Sequence, residues 1–112
     1  MKYLVTIIIC LLITATTLQA GNIYKNPNRL SVIKVYVTNS RISADLLVYI
    51  TNNRLQASGN DGIWYFVNTR ISADASVYFV NSSIEADVKI YYVGSSIESG
   101  WRQSNSFQGS FK

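Results

Sequence analysis

Apolar and polar positions alternate with period two in short runs that recur along the chain. One parity carries Ile33, Val35 and Val37, then Leu46, Val48 and Ile50, then Ala75, Val77 and Phe79, then Val88, Ile90 and Tyr92. The opposite parity carries Tyr36, Tyr49, Tyr65, Tyr78 and Tyr91, flanked by mixed residues such as Lys34, Ser76 and Lys89. Strict alternation in runs rich in β-branched and aromatic residues predicts strands. The aliphatic face is the predicted core. The Tyr face is expected to be half-buried, with ring bodies packed and hydroxyls near water.

The strands belong to a tandem repeat. The five tyrosines are spaced by 13, 16, 13 and 13 residues. Each heads a unit such as Val-Tyr-Val-Thr-Asn-Ser-Arg-Ile-Ser-Ala-Asp from Val35 or Val-Tyr-Phe-Val-Asn-Ser-Ser-Ile-Glu-Ala-Asp from Val77. A degenerate sixth unit precedes them, Ile23-Tyr24 followed by Asn28-Arg29-Leu30. The long spacing arises from an insertion within Ser58–Gly62, a Gly-rich stretch suited to a surface loop.

The second half of each unit is a corner. Ser82 with Glu85, and Ser95 with Glu98, match the capping box that opens a helical turn, and Ser40 and Thr69 hold the same position. So short a segment predicts one helical or 3₁₀ turn held by packing. Ile42, Leu55, Ile71, Ile84 and Ile97 repeat at one corner position, and Ala44, Ala57, Ala73, Ala86 and Ser99 at another. An aliphatic and a small residue in every corner predict that the corners also dip into the core. A unit of this length holds one strand and a tight connection. Five or six strands then make a small closed all-β barrel or prism, which removes exposed edges. The tail from Gln103 to Lys112 is polar, with Phe107 and Phe111 as anchors, and is expected to be mobile or a short closing strand.

The first twenty residues change the picture of destination. Lys2, the apolar run Leu4–Ile13 and the small, polar stretch Thr14–Ala20 read as a removable secretory signal. The apolar run is too short to span a bilayer, so no membrane span is expected after cleavage. Localisation is therefore read as exported, periplasmic or extracellular. Cys10 lies inside that run, preceded by Ile7, Ile8 and Ile9, which argues against lipidation. The remaining 92 residues carry no Cys and no His, and form one domain. A disulfide framework is then excluded, and zinc, haem and thiol chemistry lose their usual ligands. Without Lys2, nine Lys and Arg face six Asp and Glu, a net +3, which allows weak attraction to anionic polymers.

Candidate chemistry is sparse. Asp45, Asp74 and Asp87 recur at one position. Such a ring could bind Ca²⁺ or do acid–base work, but recurrence in every unit favours a folding role, with Asp accepting backbone hydrogen bonds as the chain leaves the corner. Arg41, Arg54 and Arg70 recur too, with Arg29 in the degenerate unit. They either line a rim that binds phosphate or sulfate groups beside the Tyr face, or pair with Asp at i, i+4 as in Arg41/Asp45 and Arg70/Asp74. Trp64 and Trp101 suit a core better than a sugar platform. No His stands as base for any serine, and no motif places a Lys for that task.

The Tyr-x-x-x-Ser-x-x-x-Ala-Asp repeat, closing with Gly100-Trp101-Arg102, resembles the septoil knot domain family. The resemblance covers Ile23 to Arg102, and copies such as Tyr78, Ser82, Ala86 and Asp87 keep one register. Ser58 and Gly100 stand where Asp is expected, Ser99 replaces Ala, and the insertion near Gly59 breaks the period. The resemblance implies a compact β domain threaded as a deep torus-type knot, a topology otherwise essentially absent from folds. It implies no activity. The chain is thus expected to comprise a signal at 1–20, a repeat-built domain at 21–102 and a tail at 103–112. The expected function is a non-catalytic binding or surface-interaction module without cofactor or metal. Its partner would be an anionic polymer or another envelope protein, met by Arg41, Arg54, Arg70, Tyr49, Tyr65 and Tyr78. A rigid, protease-resistant structural role is the alternative, and a hydrolase using Asp pairs is the third.

Overall fold

The computed structural model describes residues 21–28, 32–57 and 60–111. The signal segment, Cys10, Arg29, Leu30 and Ser58 lie outside them. Seven strands follow one another, β1 (Asn22–Lys25), β2 (Ile33–Val37), β3 (Leu46–Ile50), β4 (Ile63–Val67), β5 (Ala75–Phe79), β6 (Val88–Tyr92) and the two-residue β7 (Gly100–Trp101). Three corners carry a 3₁₀ turn, at Arg54–Ala57, Ser83–Glu85 and Ser96–Glu98. The degenerate unit supplies a full strand, β1.

Six strands run parallel in a closed ring of order β1-β5-β2-β6-β3-β4, with β4 returning to β1. Every strand–strand connection is therefore a crossover. The edge of β3 that faces β4 is shared. Its first half pairs antiparallel with β7, Leu46 with Trp101 and Leu47 with Gly100, and its second half pairs with β4, Tyr49 with Ile63 and Ile50 with Trp64. With β7 placed between β3 and β4, each strand lies two places round the ring from the strand before it. Parallel neighbours usually need a crossover of a dozen residues or more. Here most crossovers have seven or eight, which suffices because the strands they return along are only five residues long.

The core is a stack of layers inside the ring. The residue before each strand tyrosine is fully buried: Ile23, Val35, Val48, Trp64, Val77 and Ile90, one from each of six strands. Period-two alternation turns these six inward and the tyrosines outward, where the crossovers leave them half-buried. Below that layer lie Leu46 and Val88, also fully buried, and Phe111. Phe111 packs 5.2 Å from Trp64 and 6.2 Å from Trp101, ring centre to ring centre. The described part of the tail is not a strand. It runs as successive turns that seat Phe111 in the core, with Phe107 packed against it, and β7 supplies the closing strand instead.

Two further expectations are corrected. The insertion is not a surface loop throughout, since Asp61 and Gly62 are buried. The corner aliphatics do not enter the core. Ile42, Leu55, Ile71, Ile84 and Ile97 are 79%, 70%, 97%, 93% and 92% exposed, whereas Ala44 is fully buried. The cause is local geometry. With three residues per turn, positions two apart point to different sides, so only one of Ile42 and Ala44 can face the strands. The small residue is the one that lets the crossover lie close.

Candidate functional site

The recurrent aspartates close the seams between strands. Asp74 Oδ2 accepts from Asn22 N at 2.8 Å while Asp74 N donates to the Asn22 carbonyl at 2.8 Å. Asp87 makes the same reciprocal pair with Lys34, at 2.8 and 2.7 Å, and Asp45 with Lys89, at 2.9 and 2.7 Å. Each Asp enters a strand and grips the neighbouring strand 44 to 53 residues away in sequence. The role is structural, as recurrence suggested, but the partner is a distant strand rather than the local turn. Lys34, Asp74, Asp87, Phe107 and Ser110 border a shallow depression of about 640 Å³ at this end of the barrel. Among the described residues no cluster of three or more His, Cys, Asp or Glu could hold a metal ion.

The arginines do not pair with those aspartates. Arg41 Nη1 lies 3.1 Å from Glu98 Oε1, joining two neighbouring corners. Arg54 and Arg70 are exposed, and no described residue closes an ion pair with either. Arg54 and Tyr65 border a cleft of about 270 Å³ with Asn68, Thr69 and Ser72. Tyr49, on β3, and Tyr78, on β5, lie elsewhere on the outer face, so the six predicted contact residues do not converge on one point.

Serine caps start two corners as expected. Ser82 Oγ accepts from Ile84 N at 3.3 Å and Ser95 Oγ from Ile97 N at 3.2 Å. In the β3–β4 corner Asn53 Oδ1 takes that role toward Leu55 N, at 3.1 Å. These caps fix the turns so that the aliphatic at the middle of each crossover projects outward. The crossovers pass outside the ring, Ile42 above β6, Ile71 above β1, Ile84 above β2 and Ile97 above β3. Together with Leu55 they form a belt around the barrel. A hydrophobic position repeated in every unit signalled a shared role, but not that the role lay outside.

Asp61 is the functional group in the fold that its sequence position concealed, because it lies in the insertion, outside the repeat. It is buried, and its carboxylate accepts from Trp101 Nε1 at 2.8 Å, Gly109 N at 2.5 Å and Phe111 N at 3.0 Å. Its carbonyl accepts from Trp64 Nε1 at 2.7 Å. Both tryptophans are thereby structural, Trp64 fully buried and Trp101 packed against the core. Gly62, next in sequence, has no room for a side chain, since a Cβ there would meet Gly100 N at 2.6 Å and the Leu47 carbonyl at 2.7 Å. At the other end Lys25 Nζ sits 4.6 Å above the Phe66 ring. Partial burial raises the Tyr92 phenol above its ordinary range.

The parallel ring, the crossovers and the carboxylate grips define a small closed all-β barrel. A family model described as the 7(1) septoil knot domain matches residues 20–102, and the chain belongs to that family. No curated protein and no solved structure matches it.

Proposed function

We propose that the chain is an exported, non-catalytic module that binds through its outer corners. The carrying observation is the belt. One exposed aliphatic needs no explanation, but Ile42, Leu55, Ile71, Ile84 and Ile97 stand out at equivalent corners in five successive units. Turning them outward forgoes burial that would have stabilised the fold, about 1.5–3 kcal/mol for each such side chain fully buried. The non-catalytic reading is supported by the recurrent aspartates, each of which has one oxygen engaged by a backbone N–H of a neighbouring strand. Export is supported by the pattern of the first twenty residues.

The test is retention of the components of an envelope extract on the immobilised protein, compared with a variant carrying Ser at all five belt positions. The variant keeps the circular dichroism of the parent and loses its retained material. Equal retention by both, or none by either at any salt concentration, removes the proposal.

One observation favours a second reading, persistence of a rigid shape. The constant two-place step around the ring is the winding that a two-turn torus knot requires. Such a threading, with Phe111 seated behind it, would slow unfolding and hence proteolysis. Rapid digestion of the folded protein by thermolysin under native conditions would end that reading.

A further inference from the structure

Charge divides the belt into unlike sectors. In the crossovers beside β4 and above β1, Arg54 precedes Leu55 and Arg70 precedes Ile71, and all four side chains are exposed. The cleft bordered by Arg54, Tyr65, Asn68, Thr69 and Ser72 lies between these two corners. Above β2 and β3 the pattern is different, since Ile84 is followed by Glu85 and Ile97 by Glu98. The third arginine, Arg41, is joined to Glu98.

We infer that the Arg54–Leu55 and Arg70–Ile71 corners dock this protein on an anionic lipid surface. The inference rests on the reading of the belt as a contact surface, and names what that surface meets. Side-chain type selects the partner. Protein hot spots favour Trp, Tyr and Arg, with Leu under-represented, and they sit in packed, desolvated centres rather than on isolated tips. Here single aliphatic side chains stand apart on a convex rim. Sugar platforms need an open aromatic plane, and the aromatics at this cleft, Tyr65 and Phe66, are half-buried. A bilayer interface, being fluid, closes around isolated aliphatic tips and needs no matching shape. It buries Leu and Ile at the headgroup–acyl boundary while Lys and Arg meet anionic headgroups.

The cleft gives the headgroup a place. The Arg54 guanidinium supplies the N–H fork that suits a phosphate, with the Asn68 amide and the Ser72 hydroxyl, which accepts from Thr69 Oγ1 at 3.0 Å, alongside. Arg41 is already held by Glu98, so the side that meets the surface is the cleft between the Arg54 and Arg70 corners. Two exposed cations and two inserted side chains give reversible, salt-sensitive docking rather than anchoring.

The experiment uses the protein in the form the cell exports, co-sedimented with vesicles of phosphatidylcholine alone or with one-third phosphatidylglycerol. It binds the anionic vesicles, and binding falls as salt rises. Leu55→Ser with Ile71→Ser, and separately Arg54→Gln with Arg70→Gln, each lower binding about ten-fold or more. Ile84→Ser with Ile97→Ser lowers it by no more than about two-fold, since neither side chain stands beside an unpaired arginine. Absence of binding to anionic vesicles, equal binding to both vesicle types, or an equal loss in the Ile84/Ile97 variant overturns the inference. Retention of soluble polyphosphate that depends on Arg54 and Arg70 but not on Leu55 and Ile71, without vesicle binding, overturns it too and leaves the broader module reading standing. Loss of belt-dependent retention from the envelope extract would remove both.

Discussion

The seams β1/β5, β2/β6 and β6/β3 are closed by one device, and the junction of β3, β7 and β4 by another. At the first three, Asp74, Asp87 and Asp45 enter a strand and exchange two hydrogen bonds with the neighbouring backbone. At the junction the period breaks, and no repeat residue does this work. Gly62 lets the backbones of β3 and the Gly100 segment approach, and buried Asp61 gathers Trp101, Gly109 and Phe111. The difference teaches how a closed ring of similar crossovers ends. Identical units can grip one another indefinitely, but a closed ring has one seam where the chain must stop. That seam needs non-repeating residues, and they come from an insertion and a tail that the repeat does not contain.

The largest effect expected from breaking this comparison is at the plug. Phe111→Ala leaves a cavity against Trp64 and Trp101 and costs about 3–5 kcal/mol in urea unfolding. A cost under about 1 kcal/mol would mean that the tail rests on the barrel rather than completing it. Asp61→Asn follows, at about 3 kcal/mol, because an amide turns donors toward groups that are themselves donors. Its near-ultraviolet circular dichroism should change as the Trp101 indole is released.

Asp87→Ala and Asp74→Ala are each expected to cost about 1–2 kcal/mol, since one backbone N–H loses its acceptor and water can reach the site. Hydrogen exchange should quicken at Lys34 in the first and Asn22 in the second. If either matches Asp61→Asn, the two closing devices do not differ in weight. Arg41→Gln marks the lower end. Its pair with Glu98 is about half exposed on both sides, so the loss is expected to lie within about 0.2–1 kcal/mol and to shrink in salt.

The alternation of Val35, Val48, Val77 and Ile90 with the tyrosines was enough to predict the strands, the inward face and a small closed barrel of five or six strands. Ser82 and Ser95 were enough to predict two capped turns. These are local properties, set by steric preference and by a period of two, and they survive in any arrangement of the units. Tertiary structure decided the rest. Whether Ile42 or Ala44 faced the strands depended on how closely a crossover had to lie. The partner of Asp87 was a strand more than fifty residues away, which no spacing within a unit encodes. Asp61 and Phe111 lie outside the repeat and gained their roles only when ring closure brought the insertion and the tail to the same seam. Pattern along a chain records what each unit does alone; contacts between distant segments exist only once the ring has closed.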